Sequence, residues 1–540
     1  MKRVRTVTSI ADALTANRFA ARSTRQLSTA SFSLNRHTTG PSKVIASRRP
    51  LVASTYLQKA PITVRYESTT VGSKENVEDN GLDITPLYEM HELEGAKFVP
   101  FGGYEMPVSY EGQSITDSHK FTRSHCSIFD VSHMVQHKFS GPGVTAFLQT
   151  ITPASLTTLA PHHSTLSAFL WPITGGIVDD TIITRLGPED FYIVTNAGCR
   201  EKDLKYLEDQ LAQFLQNGGE AVNWEVMEDW GLIAVQGPLS EEILQSVLED
   251  PDKTNLKELY FGQSKFLEIK TDIGPKLCLV SRGGYTGEDG FEISIDPDDT
   301  VAVTVSILEA GDPHYSAEET DEIDGLEETS AAKNSSTGST FDSKIEPSKA
   351  GESDEAAAGS AIDRFLEEGK ASEKEEGADD QVKLAGLAAR DSLRLEAGMC
   401  LYGHDLDDTT TPVEASLSWI IGKDRRAEGG FHGAEVILKQ LIPKSKGGLG
   451  VERRRVGFIV QGAPAREGAE IVDDKGEKIG NITSGCPSPS LGKFIAMGYI
   501  KDGLHKSGTE VTVMIRGKPR KATVTKMPFV PSKYWKQPSN

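Results

Sequence analysis

Cysteine is scarce: Cys126, Cys199, Cys278, Cys400 and Cys486 are scattered over 540 residues and no two form a CxxC pair. An odd, dispersed set does not read as a disulfide framework and suits a reducing compartment. No apolar run approaches the length of a bilayer span, so no membrane segment is expected. Excess positive charge is missing as well. The formal net charge of -20 argues against a nucleic-acid binder, which would carry a basic surface. Familiar chemical signatures are also absent. There is no Walker loop or helix-opening GxGxxG to cradle phosphate, no GxSxG nucleophile elbow, and no HExxH or Cys/His quartet. His133 and His137 stand four apart and His162 and His163 are adjacent, but without such a set they predict no metal.

The charge that is present is unevenly placed. Residues 1–66 hold twelve Lys/Arg against one acid, Asp12, among many Ser, Thr and Ala. That composition predicts a transit peptide for import along a negative-inside potential. Residues 312–381 hold twenty-one Asp/Glu against six Lys/Arg with few aromatics, which predicts a disordered acidic insertion. Without both stretches the chain still carries about -16. Its length implies more than one core.

From Thr85 onward short apolar runs alternate with turn signals. A strand and turn are expected at Phe98–Tyr104 and a strand at Phe191–Asn196, entering a helix near Glu201–Phe214. Helices are also expected within Gly112–His125, at Ser240–Leu248 and at Val413–Trp419, the last with Pro412 in its first turn. Cys126–Met134 reads as extended and half-buried. From Arg453 to Val524 strands alternate with glycine turns, as in a compact all-β domain. Helices and hairpins interleave, which favours α+β, sandwich-like domains.

Three stretches carry possible chemistry. In Gly175-Gly176-Ile177-Val178-Asp179-Asp180, a glycine turn leads into a β-branched strand. Neighbours on a strand face opposite ways, so one acid should face solvent and the other the mouth of a pocket. Leu279–Ile295 reads as a hairpin with a glycine-rich turn. Phe291, Ile293 and Ile295 share one face of it, and Glu292 stands on the other, where it could accept paired hydrogen bonds from an amino-heterocycle. In Ala388–Glu396, Arg390 and Arg394 lie four apart on one helical face, a spacing that suits anions or a salt-bridge network equally.

Taken together and in order, several motifs resemble the aminomethyltransferase family, the T-proteins of the glycine cleavage system. They are Thr85-Pro86-Leu87-Tyr88, Phe129-Asp130-Val131-Ser132-His133-Met134, Gly175 to Asp180, Thr195-Asn196-Ala197-Gly198, Gly284 to Gly290 and Leu387 to Gly398. Thr483 to Ser490 and Met527 to Pro531 continue the match. The resemblance implies a three-domain cloverleaf around a central folate channel, with a C-terminal all-β, barrel-like domain. It divides the chain into folate-binding domains over 83–311 plus 382–425 and a β-barrel domain over 450–536. It also implies transfer of the methylene from an aminomethyl group on the lipoyl arm of H-protein to tetrahydrofolate, releasing ammonia and dihydrolipoyl H-protein. Carried over by motif, Asp180 is the central acid and Glu292 binds the pterin edge. Tyr285 and Met134 line the pterin slot, and Arg390 and Tyr534 contact substrate. Expected partners are folate and lipoylated H-protein, with no nucleic acid, membrane or metal, for a monomer in the mitochondrial matrix.

Two other roles have been seen on such a module. A folate-dependent demethylating dehydrogenase would need a flavin domain that residues 1–82 are too short to supply. A non-catalytic, folate-binding iron–sulfur assembly factor would carry a Lys-Gly-Cys-aromatic signature, and this sequence has none.

Overall fold

Two antiparallel-rich sheets and a closed barrel position everything that follows. The structure, a computed structural model, describes residues 81–311 and 380–538. The expected leader at 1–66 lies outside them, as does the acidic insertion apart from Asp380 and Gln381.

Five strands form the first sheet, in the order His163–Leu170, Ile177–Gly187, Asp190–Thr195, Val135–Ser140 and Asn223–Val226. Its core is aromatic: Phe139, Phe147, Phe169 and Phe191 are fully buried, with Tyr206 and Leu207 packed on them from the helix Arg200–Gln216. Each buried ring contributes on the order of 1.5–3 kcal/mol. Six strands form the second sheet, in the order Ser264–Ile269, Lys276–Arg282, Gly290–Ile295, Gly231–Gln236, Cys126–Asp130 and Val382–Leu384. Period-two patterning holds where it was expected. Phe291, Ile293 and Ile295 are buried, and Glu292 pairs with Ser281 and Ala234 on the opposite face. Phe129, Leu232, Ala234 and Leu279 of this sheet meet Tyr192 and Val194 of the first, giving a shared core closed by Ala389 and Leu393.

Those last two residues belong to the helix Leu387–Glu396, which joins the sheets to the barrel. Leu395 on the same helix packs with Cys486, Ile495 and Met497. The barrel runs Arg453–Val460, Lys493–Lys501, Lys478–Ser488, Glu470–Val472, Glu510–Ile515 and Lys518–Thr525 before closing on itself. Closure leaves no free sheet edge. The fold is thus mixed α+β with a six-stranded C-terminal barrel. Among the described residues no helix is long and apolar enough to cross a membrane.

Local expectations held at the helix Ile115–Ser124, where the Ser114 side chain accepts from the Asp117 amide as an N-cap. They failed at Val413–Trp419. That segment is a run of turns ending in a single 3-10 turn, Ser418–Ile420, with Ser416 at φ 59°. The barrel takes the backbone bonds a helix would have kept. Arg455 N–H donates to Glu414 O at 2.9 Å, and the Ser416 hydroxyl donates to Arg455 O at 2.9 Å. Cys126–Asp130 is fully buried rather than half-buried, because one face meets the first sheet at Tyr192 and Val194 and the helices Ile115–Ser124 and Ser240–Ser246 cover the strand as well. It ends before His133, which sits in a turn.

Where the chain returns from the insertion, Gln381 N–H donates to Gly311 O at 2.8 Å, and Cys126 N–H donates to Gln381 O at 3.0 Å. The two ends are therefore one backbone hydrogen bond apart. Loop closure depends only logarithmically on length. Replacing residues 312–379 with a short Gly/Ser linker should leave turnover near the parental value. The unfolding midpoint should stay level or rise by no more than roughly 2 kcal/mol equivalent. A deletion that unfolds the protein would show the segment to be structural. A salt-dependent rise in KM for the protein partner would show it to steer docking.

Candidate active site

A cavity of about 1160 Å³ lies where the two sheets, the helix Leu387–Glu396 and the barrel face one another. All six residues expected at the site line it: Asp180, Glu292, Arg390, Tyr534, Tyr285 and Met134.

Asp180 enters from the strand Ile177–Gly187, opposite Ala168 and just beyond the end of the pairing with Asp190–Thr195. There the next residue after that neighbouring strand, Asn196, grips both acids. Its backbone N–H donates to Asp179 Oδ2 at 2.8 Å. Its side-chain Nδ2 donates to Asp179 Oδ1 at 2.9 Å and to Asp180 Oδ1 at 3.1 Å. Burial, and then the charge of Asp179, push the Asp180 carboxyl up to about 7, while Asn196 and Arg455 pull the other way. Asp180 is thus held between ionised and neutral forms near physiological pH, as acid–base and electrostatic catalysts are.

Asp179 does point to the opposite face, but it does not reach solvent. It is 0 % exposed, because the helix Arg200–Gln216 covers that side of the sheet and brings Asp203 against it. Alternation along a strand assigns faces; what covers each face is a tertiary matter. Removal of the Asp179 charge is therefore not expected to be silent.

Glu292 stands across the cavity wall on the second sheet. Burial raises its carboxyl, and the Arg390 guanidinium opposes that shift. The two arginines at helical spacing have separated roles. Arg394 is bound by Asp391 at 2.8 Å, Asp405 at 2.6 Å and the Ser484 hydroxyl at 3.0 Å, which tie helix to barrel. Arg390 lies over the Tyr285 ring at 4.8 Å, and its Nη1 is buried with no hydrogen-bond partner. The Tyr285 hydroxyl donates to Cys400 O, which locks the ring under Arg390. Tyr534 stacks on Phe261 at 4.2 Å. Its hydroxyl, raised to about 12 chiefly by burial, has Ser532 beside it but no well-formed hydrogen bond.

Sequence reasoning weighed His133 only as a metal ligand and gave Asn196 no role. His133 lines the cavity between the edges of Phe101 and Tyr104. Burial lowers it to about 4, so it is neutral, and Nδ1 has no partner. Asn196 was findable: an Asn directly after a strand, level with two adjacent acids on its neighbour, is a donor in search of carboxylates. Arg390, Tyr534 and His133 all line one cavity, and each holds a buried polar atom without a protein partner. Such atoms cost free energy unless a ligand or water satisfies them. They suit a flat, hydrogen-bonding heterocycle with a charged tail.

Comparison with known proteins shows the family. The GCVT N-terminal domain family matches residues 87–318 and 374–425, and the glycine cleavage T-protein C-terminal barrel domain family matches 453–531. The probable mitochondrial aminomethyltransferase of Schizosaccharomyces pombe is 44% identical over 473 residues, covering 88% of this chain and 98% of that protein. The mitochondrial aminomethyltransferase of Homo sapiens is 40% identical over 451 residues, covering 84% and 91%. The crystal structure of the glycine cleavage system aminomethyltransferase T of Bartonella henselae is 31% identical with a TM-score of 0.64, covering 84% of this chain and 100% of that one. This chain belongs to the glycine cleavage T-protein family, and its activity is that of an aminomethyltransferase.

Proposed function

We propose that the cavity receives tetrahydrofolate and, at the same carboxylate, an aminomethyl group presented on the lipoyl arm of H-protein. The observation that carries this reading is the convergence of Asp180, Glu292 and the partnerless Arg390 Nη1 on one cavity. Folate supplies the nucleophilic nitrogen that accepts the methylene, and the protein supplies placement and charge. Ionised Asp180 faces the methylene as ammonia departs and stabilises the positive charge that develops there. Asn196 holds the Asp180 carboxylate in one rotamer, so that stabilisation costs no reorganisation. Glu292 accepts from the N–H edge of the pterin, Tyr285 and Met134 give it flat apolar walls, and Arg390 and Tyr534 satisfy its polar groups. Water is kept out by the apolar lining, which includes Val131, Leu232 and Leu387.

We also infer that the two sheets and the barrel are three leaves around the folate channel, divided at 83–311 plus 382–425 and 450–536. Residues 1–66 act as a mitochondrial transit peptide and direct the chain to the matrix, where it works as a monomer that docks H-protein. No metal is invoked. The deciding experiment measures methylenetetrahydrofolate and ammonia from aminomethylated H-protein, with and without tetrahydrofolate. Absence of folate-dependent product from correctly folded protein would sink the proposal.

Glu292→Gln tests the pterin contact. An amide keeps the shape and loses a charge-assisted pair worth roughly 1.5–3 kcal/mol, so the folate Kd should rise about tenfold to a hundredfold. Turnover at saturating folate should change much less. An unaltered Kd, read by fluorescence quenching or calorimetry, would remove Glu292 from the folate site.

A further inference from the structure

Behind the wall that carries Asp180, three side chains of ligand-forming type meet out of solvent. Asp179, Cys199 and Asp203 are buried, and one oxygen or sulfur atom from each lies within 4.8 Å of the others. Asp179 is well supplied, since each of its oxygens accepts from Asn196. Asp203 is not. It is 0 % exposed, and neither of its oxygens has a donor in hydrogen-bonding geometry. Lys202, next to it in the chain, opposes the burial of its charge only in part, because the ammonium is engaged by the Tyr402 hydroxyl at 2.6 Å and Asp408 at 3.2 Å. Two ionised carboxylates this close and dry would repel one another and forfeit their hydration.

We propose that Asp203 is a positioning residue that keeps its proton at neutral pH and donates it to Asp179, so that the pair carries a single charge. The chain of contacts then runs from Asp203 O–H to Asp179, from Asp179 to Asn196, and from Asn196 to Asp180. The proton gives the partnerless oxygens of Asp203 a hydrogen bond, and it limits the negative charge massed behind the catalytic carboxylate.

The groups facing the pair fit this assignment. Trp224 Nε1–H donates to His137 Nδ1 at 3.3 Å, so the second nitrogen, Nε2, carries the hydrogen and donates to Thr195 Oγ1 at 3.1 Å. His137 is neutral, held at about 3 chiefly by burial. Cys199 is held as a thiol by burial and then by the nearby carboxylate charge, so it offers no thiolate. Tyr206 and Tyr402 face the pair as neutral phenols, both raised mainly by burial. Burial and then the Asp179 charge hold Asp203 well above the usual carboxylate range. A metal would need the thiolate and both carboxylates free, whereas both Asp179 oxygens already accept amide hydrogens.

Asp203→Asn and Asp203→Ala in the full chain test the proposal. Asparagine puts an N–H where the acid O–H stood, so turnover should stay within about twofold of the parent. Alanine removes the donor, and turnover should fall roughly tenfold to a hundredfold with a smaller change in folate KM, because Asp180 loses its orientation. Infrared difference spectra at pH 7 should show a protonated-carboxyl stretch in the parent that is missing from Asp203→Asn. Four results would overturn the assignment: no such band, an asparagine variant as impaired as alanine, a fully active alanine variant, or a stoichiometric divalent metal in the parent that Asp203→Asn removes. Should the alanine variant fail to fold, the asparagine variant and the band decide. The kinetic arm rests on Asp180 being the catalytic carboxylate, and the infrared arm does not. An active Asp180→Asn protein that keeps the band would refute that reading and leave the shared proton standing.

Discussion

Asp180→Asn should lower turnover by a factor on the order of 10²–10³ while leaving the fold intact. The substitution keeps size and keeps an oxygen to accept from Asn196 Nδ2, now at 3.1 Å from the carboxylate. It removes the charge that faces the reacting methylene. The parent should also show an acid limb in its pH profile near 7, where burial and Asp179 place the titration of Asp180. The residual activity of the variant should lack that limb.

Stability should move the other way. An unfolded aspartate titrates near ~3.9, and folding raises Asp180 to about 7. Within that window the folded state holds the extra proton. Its stabilising contribution is full below about pH 4 and is lost as pH rises through about 7. Ionised Asp180 is therefore a cost at pH 8, and Asp180→Asn should raise the thermal midpoint at pH 8 more than at pH 4. Full activity in the folded variant would refute the catalytic role. A midpoint that falls at pH 8 would refute the account of the raised titration.

Gly176→Ala should cost about 3 kcal/mol or more of stability, at the upper end of what overpacking exacts. A Cβ at that position would lie 1.8 Å from Asp408 O, a backbone atom. Neither side can retreat. Ile177 N–H donates to Thr410 O at 2.9 Å, Trp171 N–H donates to Gly176 O at 2.9 Å, and Trp171 Nε1 donates to the Asp408 carboxylate at 2.8 Å. Relief would have to come from displacing the start of Ile177–Gly187, the strand that carries Asp180, so turnover should fall with stability. Gly175→Ala supplies the contrast. Gly175 sits at φ +69°, where alanine is strained by roughly 1–2 kcal/mol. Its Cβ would meet the Ile437 side chain at 2.9 Å, which can move aside, and Gly433 O at 3.2 Å, a far looser approach than the 1.8 Å at Gly176. Chemical denaturation should therefore rank Gly176→Ala well below Gly175→Ala. The reverse order would show that the crossing of residues 175–176 with 408–410 does not fix this turn.

The sequence by itself determined what depends on neighbours in the chain. Period-two alternation set Glu292 opposite Phe291, Ile293 and Ile295, and it set Asp179 and Asp180 on opposite faces. The polar-faced stretch Gly112–His125 announced a helix, glycine spacing announced the strands of the barrel, and the ordered motifs carried the family. Only the tertiary structure decided what each face meets. Asp179 and Asp180 are adjacent acids in a single strand, yet one is sealed beneath the helix Arg200–Gln216 and the other lines the cavity. Arg390 and Arg394 are the same residue type on one face of one helix. Arg394 is claimed by Asp405 and Ser484, while Arg390 is left over the Tyr285 ring with an unpaired nitrogen. The short parallel strand Val382–Leu384 and the turns at 412–417 exist because distant backbone, at Cys126–Ile128 and Arg455, takes up their hydrogen bonds. Local periodicity encodes direction, but the free energy of a polar group is set by whichever partner or solvent finally surrounds it, and that partner comes from far along the chain.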